Sequence, residues 1–188
     1  AMLLETIETL TANGYIYIGM DHFAKAGDEL ANALESGSLH RNFQGYTTKA
    51  GSELCGFGMS SISMSAHAYR QNAKELEAWH AAIEAGQLPL TKGYLLTDED
   101  KLRRELIMAI MCSGKITFSD FNERYGIDFR EHFADAIAAL EEPAEDGLVT
   151  FQSDGFEVTE RGRLLLRNLA MPFDAYLQNA PRRHAKTV

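Results

Sequence analysis

Cysteine is scarce. Only Cys55 and Cys112 occur in 188 residues, with no CxxC pair and no zinc-type cluster. An iron–sulfur cluster is held by several thiolates, so these residues alone cannot assemble one. Two cysteines allow at most one bridge, and the sequence does not decide whether it forms; we read two reduced thiols in a cytoplasmic protein. Long apolar runs are missing too, and none approaches the roughly 20 residues that span a bilayer. The opening AMLLETIETL has no basic stretch followed by an apolar segment and a cleavage site, so no secretory signal is visible. Basic side chains are in the minority, 18 Lys and Arg against 27 Asp and Glu, for a formal charge of −9. That balance argues against broad binding to nucleic acid or anionic membranes, which needs cations to neutralise phosphate. It leaves room for a local basic pocket.

What is present is enough apolar residue, 45%, for a core in one domain or two small ones. Leu3, Ile7 and Leu10 recur at helical spacing over 2–12, and Asn13-Gly14 is a stop. Tyr15 to Ile18 reads as a short buried strand ended by Gly19. A helix follows Gly27, with Leu30, Ala33 and Leu34 inward, and Gly37 closes it. Leu39 to Ser52 has no clear period and reads as an ordered loop. Leu54 to Met64 reads as a buried strand with turns. A helix over 73–85 turns Leu76, Trp79 and Ile83 inward. This order suggests units of a parallel α/β sheet. A boundary is expected within Gln87 to Gly93, dividing 1–87 from 88–188.

The second part has another texture. Thr97 with Asp98, Glu99 and Asp100 marks a helix start, and Leu102, Leu106 and Ile110 continue one face. Lys115 to Thr117 is extended. A helix over about 118–125 stops at Gly126, and Phe129, Phe133, Ile137 and Leu140 mark a third. Asp154-Gly155 signals a hairpin between Leu148–Phe151 and Phe156–Thr159. Thr159 caps a last helix through Leu165, Leu169 and Phe173. Together these make a winged-helix-like module. Such a module can read DNA with its third helix. Here that helix carries Asp128, Glu131 and Asp135 against Arg130, and Glu141, Glu142, Glu145, Asp146, Asp154 and Glu157 lie nearby in sequence. The sign is wrong for phosphate, so a structural or docking role is expected. Pro181-Arg182-Arg183-His184 is a basic, solvated tail.

Three stretches in the first third stand apart: Tyr17-Ile18-Gly19-Met20-Asp21-His22-Phe23-Ala24, His40-Arg41-Asn42-Phe43-Gln44-Gly45-Tyr46-Thr47-Thr48, and Gly56-Phe57-Gly58-Met59-Ser60-Ser61-Ile62-Ser63. They resemble the oxygen-independent coproporphyrinogen III dehydrogenase family of radical S-adenosylmethionine (SAM) enzymes. Asp146-Gly147-Leu148-Val149, Gly162-Arg163-Leu164-Leu165 and Phe173-Asp174-Ala175-Tyr176-Leu177 agree, so the likeness runs over nearly the whole chain. Related haem chaperones differ at the His40–Thr48 stretch. Two positions depart from the family: Lys25-Ala26-Gly27 stands where Pro is usual after Ala24, and Ser61 where Ala is common. The larger departure is the absence of the family's N-terminal CxxxCxxC region. The resemblance therefore implies a C-terminal portion, starting inside a longer polypeptide and inactive without the N-terminal barrel half.

The family oxidatively decarboxylates propionates of coproporphyrinogen III to give protoporphyrinogen IX in haem synthesis. The resemblance implies a short helix-strand-helix-strand piece of a TIM-like barrel, whose loops face the mouth, then the winged-helix-like domain. Gln44 and Ile62 match positions at a second SAM. Gln44 can donate and accept at an amino-acid head group, or brace its loop. Ile62 can lie against adenine or thioether, with Gly58 and Ser60 permitting close backbone approach, or be a plain strand residue. Arg41 can take a propionate in its fork, or form a surface ion pair. Tyr46, Thr47 and Thr48 can bond the same group or order the loop. Asp21 and His22 can orient substrate or move protons, or be a cap beside a half-buried imidazole. His40 is a weaker candidate of that kind. His67, His80, His132 and His184 lack partners at metal-ligand spacing. Unpaired barrel strands would favour a homo-oligomer or pairing with the absent half. Two other readings stay open: a tetrapyrrole-binding accessory protein, and an acidic docking module.

Overall fold

A computed structural model describes residues 2–177; the basic tail and His184 lie outside them. The chain divides into two compact units, Ala1–Thr48 with Arg103–Val188, and Lys49–Leu102. The boundary expected at 87/88 falls inside the second of these.

The first unit opens with α1 (Met2–Ala12). Two strands follow, β1 (Tyr15–Gly19) and β2 (His22–Lys25). They pair antiparallel, Tyr15 against Lys25 through Gly19 against His22. The expectation of parallel α/β units is corrected here: every ladder among the described residues is antiparallel, and no closed barrel forms. For β1 and β2 the physical reason is loop length. A two-residue link can return the chain only alongside itself, whereas parallel neighbours need a crossover of a dozen residues or more. The strands Ala68–Asn72 and Leu90–Leu95 run antiparallel although the helix Leu76–Glu84 lies between them. Helix α2 (Glu29–Glu35) is capped by Asp28, whose carboxylate accepts from Leu30 N at 2.9 Å. Its Ala31 and Ala33 are buried, with Leu30 and Leu34 packed against the same cluster. The 39–52 segment is not a plain loop. It contains a hairpin of β3 (His40–Asn42) and β4 (Gly45–Thr47). No alternation announces this pairing, because side chains on both faces are polar or aromatic.

The second unit holds β5 (Ile62–Met64), β6 (Ala68–Asn72), α3 (Leu76–Glu84) and β7 (Leu90–Leu95), with sheet order β5-β6-β7. The buried strand expected over Leu54 to Met64 is mostly irregular; Leu54 bridges Met64, and only 62–64 is strand. α3 is shorter than expected, and Leu76 and Ile83 are exposed. Helical spacing says which side of a helix is apolar, not whether another element covers it. Helix α4 (Asp98–Cys112) begins in this unit. Thr97 N donates to Asp100 Oδ2 at 2.8 Å and Asp100 N to Thr97 Oγ1 at 3.1 Å. This is a reciprocal cap with an acid at the third helical position.

The rest of the first unit follows: β8 (Lys115–Thr117), α5 (Phe118–Tyr125), α6 (Phe129–His132), α7 (Ala134–Ala138), α8 (Glu141–Glu145), β9 (Val149–Gln152), β10 (Gly155–Val158) and α9 (Leu166–Ala170). The expected third helix is broken at Phe133, which leaves helical geometry with ψ 27°. The expected last helix opens as a 3-10 turn over Gly162–Leu165, with Gly162 N bonded to Thr159 Oγ1 at 3.0 Å. The sheet order is β8-β10-β9. An aromatic core holds these elements: Phe118 stacks on Phe129 at 4.6 Å, Phe129 meets Phe133 at 4.8 Å, and Phe156 stacks on Phe173 at 6.0 Å. Gly155 has no substitute, because a Cβ there would sit 2.0 Å from the Ile116 carbonyl. Arg130, the one cation on the third-helix stretch, donates to Ser153 O at 2.6 Å and lies over Phe118.

Phe156 is central to this core and 1% exposed. Phe156→Ala is expected to lower unfolding free energy by about 3–5 kcal/mol, read by chemical denaturation; a loss under about 1 kcal/mol would contradict this account of the core.

Candidate functional site

The candidate residues of the first unit are carried by two hairpin turns. In β1 the ladder steps from Tyr17–Phe23 to Gly19–His22, leaving Ile18 as an extra residue. This is a β-bulge, and it aims the next residues differently from a regular hairpin. The freed Ile18 carbonyl accepts from Arg163 Nη2 at 2.8 Å. Met20 takes a left-handed φ of 55°, uncommon without glycine, and its carbonyl accepts from the Tyr17 hydroxyl at 3.1 Å. The turn ends on Asp21 and His22. His22 Nδ1 lies 2.9 Å from Asp21 Oδ1. Asp21 is largely exposed, His22 half-buried.

The β3–β4 hairpin turns at Phe43-Gln44. Asn42 makes the turn: its side-chain oxygen accepts from Gln44 N at 2.8 Å. The brace in this loop is Asn42, and the Gln44 side-chain amide has no hydrogen bond among the described residues. Arg41 stands opposite Tyr46 in the ladder, with its guanidinium 5.8 Å from the Tyr46 ring centre. It has no ion pair among the described residues, and its Nε is buried without a hydrogen-bond partner. The surface ion pair considered for Arg41 is therefore not what the structure contains.

Two glycines let the hairpins interlock. A Cβ on Gly19 would lie 2.6 Å from the Tyr46 hydroxyl, and one on Gly45 would lie 2.5 Å from His22 Nε2. Both have φ that disfavours a side chain, 150° and 137°. His22 also meets the Tyr46 ring edge-on at 5.2 Å. The Tyr46 hydroxyl donates to the Met111 carbonyl at 2.9 Å, one of the last four carbonyls of α4 that the helix cannot satisfy. Burial pushes the Tyr46 phenol up to about 12, against the nearby Arg41 and Arg163 cations, which favour its ionised form. Burial likewise pushes the Cys112 thiol up to about 11, so it is an inert core thiol beside Met108. Burial, then the Arg104 cation, lowers His40. Thr48 Oγ1 donates to Glu29 Oε2 at 3.2 Å, so Thr48 braces its loop. Thr47 is half-buried in the ladder opposite His40.

Thus Asp21, His22, Arg41, Gln44, Tyr46 and Thr47 lie on two touching hairpins. Ile62 lies in the other unit, partly buried on β5. There the close approach is made by Gly56, whose Cβ would be 2.8 Å from the Ile62 carbonyl, and not by Gly58, which has open space and a φ of 88°. Arg163 is the residue the sequence reading missed as a site element. Its partner is 145 residues away in sequence, and no local pattern signals such a bond. Among the described residues no group of His, Cys, Asp or Glu is placed to hold a metal, and no helix is long and apolar enough to cross a membrane.

Residues 96–165 match the family model described as the HemN C-terminal domain. That stretch is thus a C-terminal domain of the HemN type. The relatives give the particular family. An oxygen-independent coproporphyrinogen III oxidase from Synechocystis is 48% identical over 93% of this chain and 38% of its own length. One from Salmonella typhimurium is 45% identical over 96% of this chain and 40% of its own. The solved coproporphyrinogen III oxidase (HemN) of Escherichia coli, a radical SAM enzyme, superposes with TM-score 0.89 at 44% identity, over 93% of this chain and 40% of that one. The chain belongs with the oxygen-independent coproporphyrinogen III oxidases and corresponds to their C-terminal portion. It spans about two-fifths of the length of these relatives.

Tyr46 supplies a pH test. Its pKa is higher folded than the ordinary 10.0, so the fold favours the protonated phenol. The associated stability is whole below pH 10 and is lost as pH rises through about 12. Unfolding measured across that window is expected to show this loss, and Tyr46→Phe to remove that part of the pH dependence. At neutral pH the same variant orphans the Met111 carbonyl and costs about 1–3 kcal/mol. An unchanged pH profile would contradict the assignment.

Proposed function

We propose that these residues form the C-terminal part of a cytoplasmic enzyme that oxidatively decarboxylates propionates of coproporphyrinogen III to yield protoporphyrinogen IX in haem synthesis. The observation that carries this reading is the continuous 44% identity, at TM-score 0.89, to a radical SAM coproporphyrinogen III oxidase over 93% of the chain. When bound, SAM and an iron–sulfur cluster supply the radical that takes hydrogen from the propionate. Two cysteines and no metal-holding group among the described residues do not fit that cluster, so its ligands belong to other parts of the polypeptide.

The work of this portion is binding and positioning. Gln44 fits a second SAM: it stands at an exposed turn with an amide whose donors and acceptor are unused within the fold. Ile62 offers partly buried apolar surface for the same ligand. On the substrate side, the Asp21 carboxylate accepts from His22 Nδ1 and so orients the ring, leaving Nε2 beside Gly45 as the nitrogen that can accept a proton. Arg41 offers a cation and Thr47 a hydroxyl to a tetrapyrrole's acidic arms, with the buried Tyr46 ring holding Arg41 in place. In the intact polypeptide, the segment up to residue 87 edges a TIM-like barrel, and the segment from residue 88 is a winged-helix-like support that does not read DNA.

The test uses the intact polypeptide carrying these residues, reconstituted without oxygen. It is expected to consume coproporphyrinogen III with SAM. Gln44→Ala and His22→Ala are each expected to lower turnover about 10-fold or more, with the cluster's visible absorbance unchanged. The 188-residue stretch alone is expected to hold no iron or sulfide after the same treatment; stoichiometric iron in it, or full activity in both variants, would overturn the reading.

A further inference from the structure

The chain carries nine more acidic than basic charges, yet around Tyr46 the imbalance is reversed. Arg41 approaches one side of the phenol as a stacked cation. Arg163, which donates to the Ile18 carbonyl, lies close enough to act on the same phenol electrostatically. Neither guanidinium has an ion pair among the described residues. The nearest acid of the site, Asp21, faces His22. An arginine carries five donors in a planar fork and stays charged under all ordinary conditions. Leaving one with a buried, unsatisfied Nε costs free energy, because water cannot replace the missing partner. The fold nevertheless holds it in place, with the Tyr46 ring fixed from behind by the Met111 carbonyl.

We propose that Arg41, held against Tyr46, is a carboxylate-binding subsite whose fork is satisfied by ligand and not by protein. The inference rests on the function proposed above, which brings two carboxylates to this region: a tetrapyrrole propionate and the methionyl carboxylate of SAM. Either matches the guanidinium fork geometrically, and charge assistance makes such a pair roughly twice as strong as a neutral hydrogen bond. Arg163 adds positive field and is tied to the bulge, so it fixes the neighbouring turn without using its fork on ligand.

The experiment measures equilibrium binding to the intact polypeptide with four probes: coproporphyrin III, its tetramethyl ester, SAM, and decarboxylated SAM. Arg41→Gln is expected to weaken one free-acid probe about 10-fold or more while leaving its carboxylate-free counterpart within twofold of the unsubstituted protein. The probe affected names the carboxylate. Arg41→Lys keeps the charge but loses the fork, and an intermediate loss is expected; it carries the comparison if the glutamine variant does not fold. Equal binding of both free acids by the substituted and unsubstituted proteins overturns the subsite and leaves the broader function standing. Failure of the unsubstituted protein to bind either free acid overturns both.

Discussion

The site depends on where one phenol is held. Tyr46 is buried in the middle of a short hairpin, and its hydroxyl reaches a carbonyl at the end of α4, 65 residues later in the chain. That carbonyl is a helix-terminal acceptor with no intrahelical donor, so the bond settles two polar groups at once. Ring position then dictates what lies on either side. Gly19 must lack a side chain to admit the hydroxyl, and Gly45 must lack one to admit the imidazole of His22. Arg41 rests its guanidinium against the ring. Exchange the phenol for a smaller side chain, and two side chains, the His22 imidazole and the Arg41 guanidinium, lose the surface that locates them.

The energetic layout separates what is satisfied from what is left open. Backbone groups at the turns are paired: Met20 by Tyr17, Gln44 by Asn42, Ile18 by Arg163. The side chains left open are those suited to ligand, the Gln44 amide and the Arg41 fork. Buried polar groups without partners are rare because they cost about 1–3 kcal/mol each. Two such groups occur among the described residues, Arg41 Nε beside the hairpins and Trp79 Nε1 in the other unit.

How much of this could be read in the sequence differs by element. Helix α5 and its stop were legible, because Gly126 takes the left-handed φ of 66° that a C-terminal stop requires. The β9–β10 hairpin was legible from Asp154-Gly155. Motif resemblance singled out the residues of the two touching hairpins without announcing the hairpins themselves. The β3–β4 pairing was not legible, since its register rests on an Asn42 side-chain bond and not on alternation. The parallel sheet expected from the order of elements failed because the strands at Tyr15–Ile18 and Ile62–Met64 pair with neighbouring strands that no local pattern announced. Leu76 and Ile83 were expected inside and are exposed, since spacing defines a face without defining what covers it. Arg163 was invisible as a site residue, since a bond across 145 residues leaves no local trace.

The arrangement also explains why so little reactive chemistry resides in these residues while so much geometry does. The thiol in this region, Cys112, is buried and held protonated, and the phenol beside it is held protonated too. Burial keeps both groups in the core, away from solvent. What the two hairpins present outward is an amide, an imidazole with its carboxylate, and a guanidinium. The interlocked hairpins hold these side chains in fixed places, the Arg41 guanidinium and the His22 imidazole both against the Tyr46 ring.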